Sequence, residues 1–115
     1  MPITPKQVDY YLQQGESYNV EFKENFTKEI GKEICAFANA NGGRILIGVT
    51  DKGYVKGFDA SNKNKSRVQS VARSIEPGLE VSMEVHGDIL VMEVPEGLQK
   101  PYSVGRKNWV WLNPH

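Results

Sequence analysis

Ala36-Phe37-Ala38-Asn39-Ala40-Asn41-Gly42-Gly43-Arg44-Ile45-Leu46-Ile47-Gly48-Val49-Thr50-Asp51 is the stretch on which the fold turns. It reads as the end of an apolar helix, a glycine turn and a buried strand. Ile30, Ile34, Phe37 and Ala38 fall on one helical face at i, i+4, i+7 and i+8. Asn41-Gly42-Gly43 stops that helix, because Gly and Asn reach positive φ at low cost. Ile45-Leu46-Ile47-Gly48-Val49 is a continuous apolar run, the pattern of a strand covered on both faces. Thr50-Asp51-Lys52-Gly53 closes it with a turn signal.

Outward from this unit the chain reads as one domain over residues 1–115. Toward the N-terminus, Thr4, Pro5 and Gln7 form a capping-box start with an Ile3–Val8 staple, and Gly15 is the stop. A helix over 5–14 follows, with Val8, Tyr11 and Leu12 as its stripe. Val20 and Phe22 alternate with Asn19, Glu21 and Lys23, the period of a half-buried strand. Glu21 and Lys23 therefore share a face. Thr27 is placed to cap the central helix.

Toward the C-terminus, Tyr54 to Phe58 reads as a return arm pairing with the central strand. Ser61 to Arg67 opens a third helix with the stripe Val68, Val71, Ala72 and Ile75, and Pro77-Gly78 stops it. Leu79 to His86 and Ile89 to Val94 form a hairpin across Gly87-Asp88, its acidic polar face turned to water. A loop over 98–107 and a last strand over 108–113, with Trp109 and Trp111 on one face, complete the order α-β-α-β-β-α-β-β-β. The fold class is α+β: a mixed, largely antiparallel sheet with about three helices packed on it.

Composition narrows the function. Hydrophobic content of 39% and charged content of 24% are those of a soluble globular domain, and the formal net charge is zero, which excludes a simple polycation. Residues 22–73 nonetheless carry a net +5 and residues 74–96 a net −6. Either one half of the chain offers a positive surface to anions, or the charges interleave in space and cancel. No apolar run approaches the roughly 18 residues a membrane span needs, and no signal-peptide core is visible. The single Cys35 reads as a half-buried structural thiol in a reducing compartment. The expectation is a cytoplasmic protein with no membrane partner.

The glycine turn is a poor phosphate loop, since it leads into a strand and no Gly-Lys-Ser/Thr follows. His86 and His115 are too far apart in sequence to suggest zinc. Glu16, Glu21 and Asp51 are better candidates. If their strands pair, the acids meet at one sheet edge, where Mg²⁺ or Mn²⁺ would bind and act on a phosphodiester. A solvated strand face is the plainer alternative for the same residues. Lys63-Asn64-Lys65-Ser66-Arg67 is the densest basic patch, which Lys23, Lys28, Lys32 and Arg44 extend. Tyr102, Trp109 and Trp111 either stack on bases or fill the core.

Glu16-Ser17-Tyr18-Asn19-Val20-Glu21-Phe22-Lys23, Ala36-Phe37-Ala38-Asn39, Gly42-Gly43 and Ile47-Gly48-Val49-Thr50-Asp51 together resemble the Schlafen AlbA-like domain, in order and spacing as well as identity. Lys100-Pro101-Tyr102 falls where that family often carries a similar motif. The resemblance spans roughly residues 16–113. It implies a nucleic-acid-associated domain: a transcriptional regulator or DNA-binding protein, or an RNA-binding module. Some members are linked to ATP, which implies a nucleotide-binding regulator as a weaker reading. In vertebrate Schlafen proteins the domain cleaves transfer and ribosomal RNA through three acids. Carried over by motif, they fall on Glu16, Glu21 and Asp51, with Lys23 and neighbouring cations facing the RNA backbone. The implied alternative is a divalent-metal-dependent endoribonuclease acting on tRNA-like RNA. The chain departs from the pattern at Thr50, where a second acid is common, and at Ala40. It holds one copy of a domain that the vertebrate nucleases pair into a horseshoe, so it would rebuild that clamp only as a homodimer.

Overall fold

A computed structural model describes residues 3–104. Helix α1 (Pro5–Gln14) starts on the expected capping box: the Thr4 hydroxyl accepts from the Gln7 amide and the Gln7 side chain accepts from the Thr4 amide. Strand β1 (Val20–Lys23) leads to helix α2 (Ile30–Asn39), strand β2 (Gly43–Ile47), helix α3 (Asn62–Arg73), strand β3 (Ile75–Glu76), strand β4 (Ser82–His86), strand β5 (Ile89–Val94) and strand β6 (Ser103–Val104).

The main sheet runs β1-β2-β5-β4. β1 and β2 are parallel, linked by α2, with Val20 opposite Arg44 and Lys23 opposite Ile47. β5 pairs antiparallel with both β2 and β4, and β3 pairs with β6 in a separate two-stranded sheet. Alternation on the strands gives two cores. Ile45, Ile47, Leu90, Met92 and Val94 pack with Ile30, Ile34 and Ala38 of α2 and Val68 of α3. Phe22, Leu46, Val49, Ile89 and Val91 pack with Ile3 and Val8 beneath α1. Ile45, Leu46 and Ile47 are all fully buried, so the central strand is covered on both faces as its apolar run requires.

At the glycine turn, Gly42 has φ of 83° and its amide reaches back 2.8 Å to the Phe37 carbonyl. A Cβ there would lie 2.8 Å from both the Val94 oxygen and the Glu96 nitrogen. The Asn39 side chain then ties the end of α2 to the distant Tyr102. Its Nδ2 donates to the Tyr102 carbonyl at 3.1 Å and its Oδ1 accepts from the Tyr102 amide at 2.6 Å. The helix motif and the Lys100-Pro101-Tyr102 motif thus meet as one structural clamp.

Several local expectations are corrected. Thr27 does not cap α2: the N-cap position is Glu29, without a side-chain bond, and Thr27 contributes only its carbonyl, to the Ile30 amide. Residues 54–58 form one isolated bridge, Val49 to Val55, not a strand. The Gly48 carbonyl there takes both the Lys56 and Gly57 amides, and the Phe58 amide turns to Asp88. Ile75 is buried but lies past the helix, in β3. The segment read as a loop over 98–107 contains β6. The acidic face of β4 is partly covered, since Glu84 Oε2 accepts from the Ile3 amide. The expected strand over 108–113, with Trp109 and Trp111, lies outside the described residues.

Candidate functional site

β1 and β2 are parallel and end together, where the Gly48 amide bonds the Lys23 carbonyl at 2.6 Å. At that end opens a cleft of ≈ 510 Å³ lined by Glu16, Glu21, Lys23 and Asp51, together with Glu24, Asn25 and Thr27. The carboxyl ends of parallel strands are a common place for a site, because the chain leaves the sheet there in loops.

Each side chain has a local reason for its position. β1 is an edge strand, so its outward amides lack a sheet partner. The chain folds back at the Ser17–Val20 bridge, and Glu16 Oε2 accepts from the outward Phe22 amide at 2.9 Å. Glu21 and Lys23 alternate with buried Val20 and Phe22, so both face the α2 side of the sheet. There the Lys23 ammonium lies 2.6 Å from Glu33 Oε2 on α2 and 4.0 Å from Glu21 Oε2. Asp51 arrives from the turn after β2 and is exposed.

The electrostatics follow from crowded acids. Partial burial, a hydrogen bond to Glu16 and the negative charges of Glu16 and Glu33 raise Glu21 to about 7, against the pull of Lys23. Near neutral pH Glu21 is therefore divided between its protonated and ionised forms. The hydrogen bond to Glu33 outweighs burial and holds the Lys23 ammonium above the usual lysine range. Burial raises the Cys35 thiol, in keeping with its structural reading.

The donor chemistry suits a divalent cation, since four carboxylates, Glu16, Glu21, Glu24 and Asp51, border one cleft. Their arrangement does not form a cage: among the described residues, no group of three or more His, Cys, Asp or Glu is placed to hold a metal ion. One Glu16 oxygen is taken by the Phe22 amide, and the Lys23 ammonium already supplies positive charge beside Glu21.

The basic residues separate into two groups. Arg44 does not extend the patch. It shares the α1 side of the sheet with Val20 and Leu46, where its guanidinium bonds Glu93 at 2.6 Å and meets the Tyr11 hydroxyl and ring. Lys32 pairs with Glu29 on the surface at 3.1 Å. For Lys23, Lys32 and Arg44 the interleaving reading of the charges therefore holds. Lys28, Lys63, Lys65 and Arg67 have no carboxylate partner among the described residues. The Arg67 guanidinium lies 5.6 Å from the centre of the Phe26 ring, in the loop that borders the cleft. This contact holds the middle of α3 against the loop that leads to Lys28. Lys63 shares the Arg67 face of the helix at i, i+4, while Lys65 lines a groove between α3 and the β4–β5 hairpin.

Tyr102 is buried and its hydroxyl accepts from the Gln99 amide, so it is not a stacking residue. Sequence reasoning missed Glu33, and it missed Lys56, whose ammonium reaches Asn25 at 3.1 Å and Glu24 at 3.8 Å on the cleft rim. Neither lies in a motif; only the packing of α2 and the turn after β2 brings them there.

A family model for "Schlafen, AlbA_2" matches residues 16–112. Two solved structures are similar. One is the N-terminal domain of a protein from Nitrosomonas europaea named as related to the ATP-dependent DNA helicase RecG. It is 24% identical with a TM-score of 0.56, and the match covers 84% of this chain and 74% of that one. The other is a protein from Corynebacterium diphtheriae, 18% identical with a TM-score of 0.56, covering 86% of this chain and 23% of that one. This chain thus spans about a quarter of the second protein. At these identities the two structures show the fold.

Proposed function

We propose a function from a premise that the family match shows: this chain belongs to the Schlafen, AlbA_2 family. The reading is a nucleic-acid-binding domain that grips the sugar–phosphate backbone. The observation that carries it is the Arg67–Phe26 contact, which brings a cation without a carboxylate partner among the described residues against the loop that borders the cleft. Lys28, Lys63 and Arg67 then form a rim for phosphates, and backbone contacts of this kind position a strand without reading its sequence. The name of the RecG-related neighbour is in keeping with this reading. The test is fluorescence anisotropy with labelled RNA and DNA hairpins over a range of salt. Affinity that falls as salt rises supports the reading, and the stronger ligand identifies RNA or DNA. Absence of salt-sensitive binding to both removes it.

A second reading, an endoribonuclease acting on tRNA-like RNA, draws on a different observation. Glu16, Glu21, Asp51 and Lys23 border one cleft, and Glu21 is held near neutrality, the range suited to proton transfer. Incubating tRNA with Mg²⁺ or Mn²⁺ decides it: cleavage by the wild type that is lost in Glu21→Gln and Asp51→Asn supports it, and equal cleavage by all three rejects it.

A further inference from the structure

Glu33 lies on α2, outside the motifs that single out the other acids. It lies 2.6 Å from the Lys23 ammonium, a charge-assisted hydrogen bond, while Glu21 at 4.0 Å is beyond hydrogen-bond range. The other Glu33 oxygen, Oε1, is buried with no hydrogen-bond partner among the described residues. An unmet buried acceptor is unfavourable, so the pairing with Lys23 is the contact that offsets it.

Lys23 is long and flexible, with three donors on a compact charge. The charged groups acting on it are Glu33 on α2, Glu21 on β1 and Glu16 before β1, while Glu24 and Asp51 line the same cleft. If Glu33 lost its charge, the near acid on the same strand face would be Glu21. We propose that Glu33 is a positioning residue: it draws the Lys23 ammonium toward α2, stops it closing onto Glu21, and leaves Lys23 donors free for a phosphodiester in the cleft. The phosphodiester part rests on the nucleic-acid reading above.

The sign of one substitution separates this from plain electrostatics. Removing a negative charge near a polyanion site normally tightens binding. Glu33→Gln in the full chain is expected instead to weaken binding of a labelled RNA or DNA hairpin about threefold, the size of a surface ion-pair effect. The loss disappears in Glu21→Gln/Glu33→Gln, where Lys23 has no charged neighbour on its strand to close onto. In a Lys23→Ala background, Glu33→Gln tightens binding. Tighter binding by Glu33→Gln alone, or a loss that persists with Glu21→Gln, overturns the proposal. A second measurement needs no nucleic acid. NMR coupling through the hydrogen bond should link the Lys23 Nζ to the Glu33 carboxylate in the wild type and to Glu21 in Glu33→Gln. A Lys23 ammonium uncoupled from Glu33 in the wild type overturns the positioning itself. If the wild type binds no nucleic acid, the functional reading fails, and this coupling still decides where Lys23 is held.

Discussion

At the scale of single residues, Glu21 links the cleft to stability. Its folded-state pKa, about 7, lies above the ordinary carboxylate value of 4.5. Between those values the folded chain binds more protons than the unfolded one, so this contribution is present at low pH and is lost as pH rises through 7. Urea unfolding across that range should show stability falling with pH, and Glu21→Gln should flatten the fall. A profile unchanged by Glu21→Gln contradicts the assignment. Asn39 provides a different test. Asn39→Ala leaves the Tyr102 amide and carbonyl without their partners, and should destabilise by about 1–2 kcal/mol in urea unfolding. The sequence marks Asn39 within a motif but does not show its partner, because that partner is 63 residues away.

At the scale of elements, the turn between α2 and β2 is under tight steric demand. Gly42→Ala combines a left-handed φ with a Cβ placed against Val94 and Glu96 backbone, and should cost about 2 kcal/mol or more by chemical denaturation. This unit is legible because two periods meet there, 3.6 in Ile30–Ile34–Ala38 and a continuous apolar run in β2, with glycine between them. The first helix and the β4–β5 hairpin are legible for similar local reasons. The errors arise where local cues lose to backbone constraints. Thr27 has the right side chain for a cap, but its carbonyl bonds the helix start instead. The arm over 54–58 alternates too little to hold a ladder, and Gly48 and Gly57, both at φ near 100°, turn it across the sheet end.

At the scale of the whole molecule, the meeting of the three candidate acids at one cleft is legible in the sequence and the distribution of the cations is not. Glu16, Glu21 and Asp51 reach one cleft because β1 and β2 run parallel and end together, and that pairing follows from a helix joining two strands. Arg44 shows what tertiary register adds. Strand parity places it on the α1 face beside Glu93, away from Lys23, and a count of positive residues cannot show that. Glu33 is invisible until α2 docks on the sheet. If the proposed rim contacts phosphates, Lys28→Ala and Arg67→Ala should each weaken binding to all sequences alike and reduce the salt slope by about 1. Arg44→Lys should leave that slope unchanged.

Chemical-shift mapping on labelled protein, titrated with unlabelled RNA and then DNA hairpins at low salt, locates the nucleic-acid surface. The largest amide shifts are expected at residues 24–28 and 63–67, with Lys23 and Glu33 following. Shifts confined to Gly42–Arg44 and the α1 face, or no shifts with either nucleic acid, would contradict the nucleic-acid reading.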